Sequence, residues 1–235
     1  MYLLIPAAGA GKRMGGSQNK LLLSLLGRPL LAWTLETALG AGSIEWIGII
    51  GQRHDFASFE DILAGLSLGG KPCRLIEGGA SRQASVFNGL SALPEAAEKV
   101  LIHDGARCLA TADLFNRCAQ ALVQSDGLIA AVPVKDTIKK VDRQGWITET
   151  PERSALWAAQ TPQGFRVELL KHCHQRGLEQ GWEVTDDAAL LERCGAPTRV
   201  ILGEETNLKI TTPVDLALAE FILSQRQAIN ALTGE

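Results

Sequence analysis

The sequence predicts an α/β fold: a mostly parallel, twisted sheet with helices on both faces and one protruding β-hairpin arm. Two observations carry this. Short apolar or β-branched runs alternate with amphipathic patterns along the chain, and one segment, 135–165, breaks the alternation. Runs that are almost continuously apolar suit strands covered on both faces. A β-α-β-α order sets such strands side by side in parallel, with the connecting helices packed on the sheet.

In chain order, YLLIPA (2–7) is the first strand and ends in a glycine turn. PLLAWTLETALGAG (29–42) reads as an amphipathic helix and WIGIIG (46–51) as the next strand. CRLIEG (73–78) is a strand that runs into a second glycine turn. The helix SRQASVFNGLSAL (81–93) follows, with Ser81 suited to cap its N-terminus. KVLIHD (99–104) is a strand with Asp104 at its exit; TADLFNRCAQALVQ (111–124) is a helix and GLIAAVPV (127–134) a strand. Segment 135–165 then reads as strand, a turn at Asp142–Gly145, strand and loop. A lone hairpin is marginal in water. Trp146, Ile147 and Trp157 therefore need a surface, which is either a second copy of the chain or the arm's own domain. VELLKHCHQRGLEQ (167–180) and DDAALLERCG (186–195) are helices, TRVILG (198–203) is the last strand, and PVDLALAEFILSQRQAI (213–229) is the last helix. His172 and His174 lie two apart and diverge on a helix, which reads as a solvated face rather than a metal site. No repeat or low-complexity linker divides the chain. Its 235 residues read as one domain, 1–235, with 136–160 as a projecting arm.

With 46% hydrophobic and 21% charged residues the chain buries a substantial core. A net charge of −3 argues against a nucleic-acid partner, which wants a basic field. Five cysteines, an odd number with no C-x-x-C pair, argue against a disulfide framework or zinc site and for a reducing, cytoplasmic setting. No apolar run reaches ~18 residues, so no membrane span is expected. The first apolar run has no charged region before it, so no signal peptide is expected either.

One charge asymmetry stands out. Lys12, Arg13, Lys20 and Arg28 precede the first acid, Glu36. They surround the turn AAGAGKRM (7–14), which follows a strand, and in α/β sheets ligands sit beyond the carboxyl ends of strands. Glycines there let backbone N–H groups approach phosphate oxygens. The Walker pattern fails, because Gly11-Lys12 is followed by Arg13. The dinucleotide pattern G-x-G-x-x-G fails at Met14, and Asp55 lies past the second strand. A small-anion site that is neither a P-loop kinase nor a dehydrogenase remains.

Other polar positions carry two readings each. Asp104, before Gly105, suits a one-carboxylate Mg²⁺ cradle completed by substrate phosphates, or a turn. Arg107 suits an anion or a pair with Asp104. The turn EGGASRQAS (77–85) suits a base or ribose held by backbone groups, with Ser85 one helical turn beyond Ser81. Asp186 and Asp187, after Thr185, read as capping and dipole residues. Lys209 lies near a strand end before the last helix.

Taken together, PAAGAGKRM (6–14), Lys20, GGASRQAS (78–85), HDGAR (103–107), PVKDTIK (133–139), TPQGF (161–165), TDDA (185–188) and NLKIT (207–211) resemble the 2-C-methyl-D-erythritol 4-phosphate cytidylyltransferase family over nearly the whole chain. The resemblance implies a Rossmann-like sheet, a homodimer joined through the arm, and transfer of CMP from CTP to methylerythritol phosphate with Mg²⁺ and release of pyrophosphate. It implies Arg13, Lys20 and Lys209 as catalytic cations and Asp104 as the metal ligand. It implies nucleotide contacts at Ala7, Ala8, Gly9, Ala10, Gly11, Gly79, Ser85 and Ala106. It implies acceptor contacts at Thr137, Arg153, Thr161 and Thr185, the first two reaching across to the other subunit. The chain departs from the family pattern at Asn19-Lys20-Leu21, where Pro-Lys-Gln is usual, and at Gly105 and Cys108, where Ala and Pro are usual.

The chemistry needs no general base. A phosphate monoester with a second pKa near ~6 is largely dianionic at neutral pH. The obstacle is repulsion from a polyanion, about 4 kcal/mol per unit pair at ~4 Å and an effective dielectric of ~20. Three cationic side chains and one Mg²⁺ answer it. The alternatives are a cytidylyltransferase for another polyol phosphate, such as ribitol 5-phosphate, and a nucleotide-binding regulator without catalysis.

Overall fold

The computed structural model describes residues 1–9 and 19–233. Ala10, Gly11 and Arg13 lie outside the described residues. The described strands are β1 (Tyr2–Pro6), β2 (Trp46–Gly51), β3 (Cys73–Glu77), β4 (Lys99–Ile102), β5 (Gly127–Pro133), β6 (Lys140–Val141), β7 (Ile147–Glu149), β8 (Trp157–Arg166) and β9 (Arg199–Leu202). The helices are α1 (Leu30–Gly40), α2 (Phe56–Ala64), α3 (Arg82–Ser91), α4 (Ala112–Ala121), α5 (Val167–Glu179), α6 (Ala188–Arg193) and α7 (Pro213–Thr233). A two-stranded ribbon, Ser24–Leu25 with Arg28–Pro29, precedes α1.

Seven strands form one sheet in the order β9-β5-β8-β4-β1-β2-β3. β1 is parallel to both β2 and β4, β2 to β3, and β9 to β5. The two-residue side-chain period of β1 splits its apolar run. Leu3 and Ile5 enter one core layer with α1, α2 and α4, and Leu4 enters the other with α3, α5 and α6. Helices thus cover both faces, as the uninterrupted hydrophobicity of the strands predicts. α7 packs Ala219 and Leu223 on Leu25, Leu30, Cys108 and Ile210 in a third cluster.

Two elements depart from the sequence reading. Residues 56–64, assigned to no element there, form α2 around the fully buried Phe59. Residues 157–166, assigned in part to a loop, form β8, antiparallel to both β4 and β5 with a register shift between Ala159 and Gln163. Three of its buried positions are polar, Gln160, Thr161 and Gln163. Loops take up part of their hydrogen bonding, with Gln160 Nε2 donating to the Glu204 carbonyl at 2.9 Å and Gln163 Nε2 to Asp186 Oδ2 at 2.8 Å. A buried strand whose polar side chains are paired in this way shows no apolar alternation.

The predicted hairpin forms as β6 and β7. Asp142 Oδ1 accepts from the N–H groups of Gln144 and Trp146, both at 2.9 Å, and closes the turn. Residues 136–150 are all exposed, with Trp146 72% and Ile147 62% accessible. The arm is therefore not folded back on its own sheet. All five cysteines are free. Burial pushes the Cys108 and Cys118 thiols up to about 12, which leaves them unreactive. Among the described residues no helix is long and apolar enough to cross a membrane.

Candidate active site

Strand order reverses about β1: successive strands β2 and β3 lie on one side and β4 on the other. In open α/β sheets such a point leaves a crevice beyond the strand ends. Here the cleft has a volume of about 280 Å³. Ala8 and Gly9 from the first glycine turn line it, with Gly79, Ala80 and Ser81 from the second. Lys20, Arg82, Asp104, Gly105, Ala106 and Lys209 complete the charged side. Asp104 is its only acidic side chain among the described residues.

Lys20, Asp104 and Lys209, far apart in sequence, converge. Lys209 Nζ lies 2.7 Å from Asp104 Oδ2, and Lys20 Nζ donates at 3.0 Å to the carbonyl of Ile210, the residue after Lys209. Asp104 also faces Arg82 and Arg107, each at 3.8 Å. Burial alone raises a carboxyl pKa, but Lys209, Arg82 and Arg107 together outweigh it and hold Asp104 below the usual carboxylate range. The carboxylate is thus fully ionised at neutral pH.

The second glycine turn is built from its own side chains. The Ser81 hydroxyl accepts from Ala84 N–H at 3.0 Å, as its N-cap position predicts. Ser85 Oγ donates to the Ser81 carbonyl at 2.8 Å and accepts from Gly79 N–H at 3.0 Å. A hydroxyl has two acceptor lone pairs, so one remains for a ligand. A Cβ on Gly79 would lie 2.5 Å from the Ala84 methyl, so only glycine fits there. The departures at 21 and 105 answer each other in space. A Cβ on Gly105 would lie 2.7 Å from Leu21 Cδ1, so the absent methyl makes room for the larger apolar side chain.

Five further residues that the resemblance names lie outside the lining of this cleft. Ala7 is buried, with its N–H donated to the Ile50 carbonyl at 2.7 Å. Thr161 is buried in β8 and does not line the cleft. Its hydroxyl accepts from Asp104 N–H at 3.0 Å and contacts His103 Nδ1 at 3.0 Å. His103 Nε2 is 3.1 Å from the Arg107 carbonyl, which only accepts. The proton therefore sits on Nε2, and Nδ1 accepts from Thr161. Thr137 and Arg153 lie on the exposed arm, where Arg153 donates to the Lys135 carbonyl at 2.8 Å, and Thr185 is exposed before α6.

The reading of His174 and Asp187 is corrected. His172 is exposed, but His174 is buried, 3.3 Å from Asp187. Asp186 does cap α6, its Oδ1 accepting from Ala189 N–H at 3.1 Å, whereas Asp187 turns inward to Arg82 at 2.8 Å. Against burial, which pushes the other way, Arg82 and His174 hold the Asp187 carboxyl low. Arg82 therefore bridges Asp187 and the cleft. Arg82 lies within SRQAS (81–85), where nothing local marks a partner 105 positions away.

His103 makes acid sensitivity measurable. Burial drops its pKa from 6.5 to about 4. Between those values the unfolded chain binds a proton that the native chain refuses, so stability rises with pH there and is lost as pH falls from 6.5 to about 4. The loss expected is of order 3 kcal/mol. Urea unfolding at pH 7 and pH 4.5 is expected to show this loss for the parent, and a smaller one for His103→Asn.

The family model of 2-C-methyl-D-erythritol 4-phosphate cytidylyltransferase matches residues 1–225. The enzyme of that name from Synechocystis sp. is 66% identical over 231 residues, 98% of this chain and 100% of the relative. The one from Nostoc punctiforme is 67% identical over 226 residues, 96% and 99% of the two chains. The crystal structure of 4-diphosphocytidyl-2C-methyl-D-erythritol synthase from Anaerococcus prevotii superposes with a TM-score of 0.84 at 32% identity, covering 95% of this chain and 97% of that one.

Proposed function

Because the chain belongs to the 2-C-methyl-D-erythritol 4-phosphate cytidylyltransferase family and is thus a cytidylyltransferase, we propose that it transfers CMP from CTP to 2-C-methyl-D-erythritol 4-phosphate and releases pyrophosphate. The observation that carries this reading is the meeting of Lys20, Lys209 and Asp104 in one cleft between two glycine turns. The acceptor phosphate oxygen forms a bond to the α-phosphorus of CTP, and the α–β bridging P–O bond breaks. The acceptor arrives as a dianion, so no proton has to be removed. Lys20, Lys209 and Arg13 offset the repulsion and stabilise the crowded α-phosphate, which is electrostatic work by preorganised donors. Ala8, Gly9, Ala10 and Gly11 wrap the triphosphate, while Gly79, Ser85 and Ala106 surround the nucleoside.

A metal fits this donor set. Mg²⁺ takes one or two carboxylates together with substrate phosphates, and Asp104 offers an ionised carboxylate in the cleft. When bound, the ion would add positive charge beside the phosphates. Thr161 holds the strand exit that presents Asp104, through the hydrogen bond to its N–H. Residues 1–235 act as one domain with 136–160 as its arm. Thr137 and Arg153 of that arm, with Thr185, receive the acceptor in a cytoplasmic homodimer.

The test is pyrophosphate release by the full chain with Mg²⁺, comparing CTP with UTP and methylerythritol phosphate with ribitol 5-phosphate. Release only with CTP and methylerythritol phosphate is expected. Preference for ribitol 5-phosphate would overturn the acceptor assignment, and no release with any pair would overturn catalysis.

A further inference from the structure

Asn19 and Asp55 have no part in the chemistry above, yet both are buried at the root of the first glycine turn, 6% and 5% accessible. Asn19 Nδ2 donates to the Ala7 carbonyl at 2.7 Å and to Asp55 Oδ2 at 2.8 Å. Its Oδ1 accepts from Leu21 N–H at 3.0 Å and opens the short 3₁₀ turn Lys20–Leu22. One amide thus uses both donor hydrogens and its acceptor. Ala7 opens the glycine turn and Asn19 lies five residues beyond its last residue, Met14, so the bond between them ties the chain entering the turn to the chain after it. Asp55 ties that knot to the loop after β2, its own N–H donating to the Gln52 carbonyl at 2.9 Å. Exposed His54 lies 3.5 Å from Oδ1, which leaves Oδ2 to Asn19.

We propose that Asn19 and Asp55 are positioning residues that hold the closed root of the glycine turn and aim Lys20 into the cleft. The role rests on the reading of Lys20 as catalytic. The bond joins an amide donor to a carboxylate in a water-poor site, and such charge-assisted bonds are about twice as strong as neutral ones. Lys20 directly follows the clamp, and its Nζ is fixed at the other end by the Ile210 carbonyl at 3.0 Å. Releasing one end shifts the ammonium relative to the reacting phosphates, and displacements near ~1 Å cost up to ~10²-fold in rate.

The test uses the full chain with Asn19→Ala, Asn19→Ser, Asp55→Ala, Asp55→Asn, the double alanine variant and Lys20→Ala. Serine keeps the cap acceptor for Leu21 and removes the donors to Ala7 and Asp55. Asparagine at 55 keeps an acceptor for Asn19. The expected result is a kcat ~10–30-fold lower for Asn19→Ala, Asn19→Ser and Asp55→Ala, with CTP dissociation constants within ~3-fold of the parent. Asp55→Asn should keep kcat within ~3-fold, and the double variant should be no worse than the poorer single one. If the alanine variants fail to fold, Asn19→Ser decides. A folded Asn19→Ser enzyme with parental kcat, beside an impaired Lys20→Ala, overturns the positioning role alone. A Lys20→Ala enzyme with parental kcat overturns the assignment of Lys20, and the positioning role with it.

Discussion

Lys20→Ala is expected to lower kcat by roughly 10²-fold or more while CTP affinity changes only a few-fold, and Arg13→Ala to do the same. On the proposed reading, ground-state CTP would meet many donors, among them the backbone of the glycine turns, so one cation would contribute little to its binding. The transition state differs, because a dianion and a polyanion must then share one phosphorus. Each unit pair at ~4 Å repels by about 4 kcal/mol at an effective dielectric of ~20, and several pairs act together. A cation placed there stabilises the transition state more than either substrate. Lys20 is already placed: Ile210 holds its Nζ, and the neighbouring Lys209 is on Asp104. Steady-state pyrophosphate release with calorimetry of CTP binding separates the two quantities. A near-parental kcat for both variants would refute the assigned roles, and an equal loss in CTP affinity would show uniform binding instead.

What the sequence made legible follows its physics. β1, β2, β4 and β5 read clearly because both faces of the sheet are covered there, so periodicity did not have to be resolved; the edge strands β3 and β9 read from their apolar and β-branched composition, although Val200 and Leu202 stay exposed. β8 did not, because Gln160, Thr161 and Gln163 put polar atoms into the core and pair chiefly with residues distant in sequence. The resemblance names the cations Lys20 and Lys209 and the carboxylate of Asp104, and these three side chains line one cleft. The clamp of Asn19 and Asp55 and the bridge of Arg82 to Asp187 were not, because each joins residues unrelated in sequence position. Asp187 shows the limit most plainly. Beside a helix start it reads as a cap, and only the fold reveals that Asp186 takes that task while Asp187 turns to Arg82 and His174. Local chemistry names candidates; packing decides which neighbour each one meets.

Mixing two nearly inactive variants, Arg153→Ala and Lys20→Ala, is expected to restore activity. Arg153 stands on an arm whose apolar side chains, Trp146 and Ile147 among them, are exposed in the single chain. The hairpin makes few contacts that hold it up alone, and isolated two-stranded sheets are marginal. Docked on a second copy through a twofold axis, it would bury those side chains and carry Arg153 to the partner's cleft. Each cleft would then draw Lys20 from one subunit and Arg153 from the other. In a random mixture half of the dimers are hybrids, and each hybrid has one cleft with both residues intact, so about a quarter of parental activity should return. Co-expression with two affinity tags isolates the hybrid, where about half of parental activity is expected by the same geometry. If each arm instead served its own cleft, every site in the hybrid would lack one residue, and the activity would stay at the level of the variants alone.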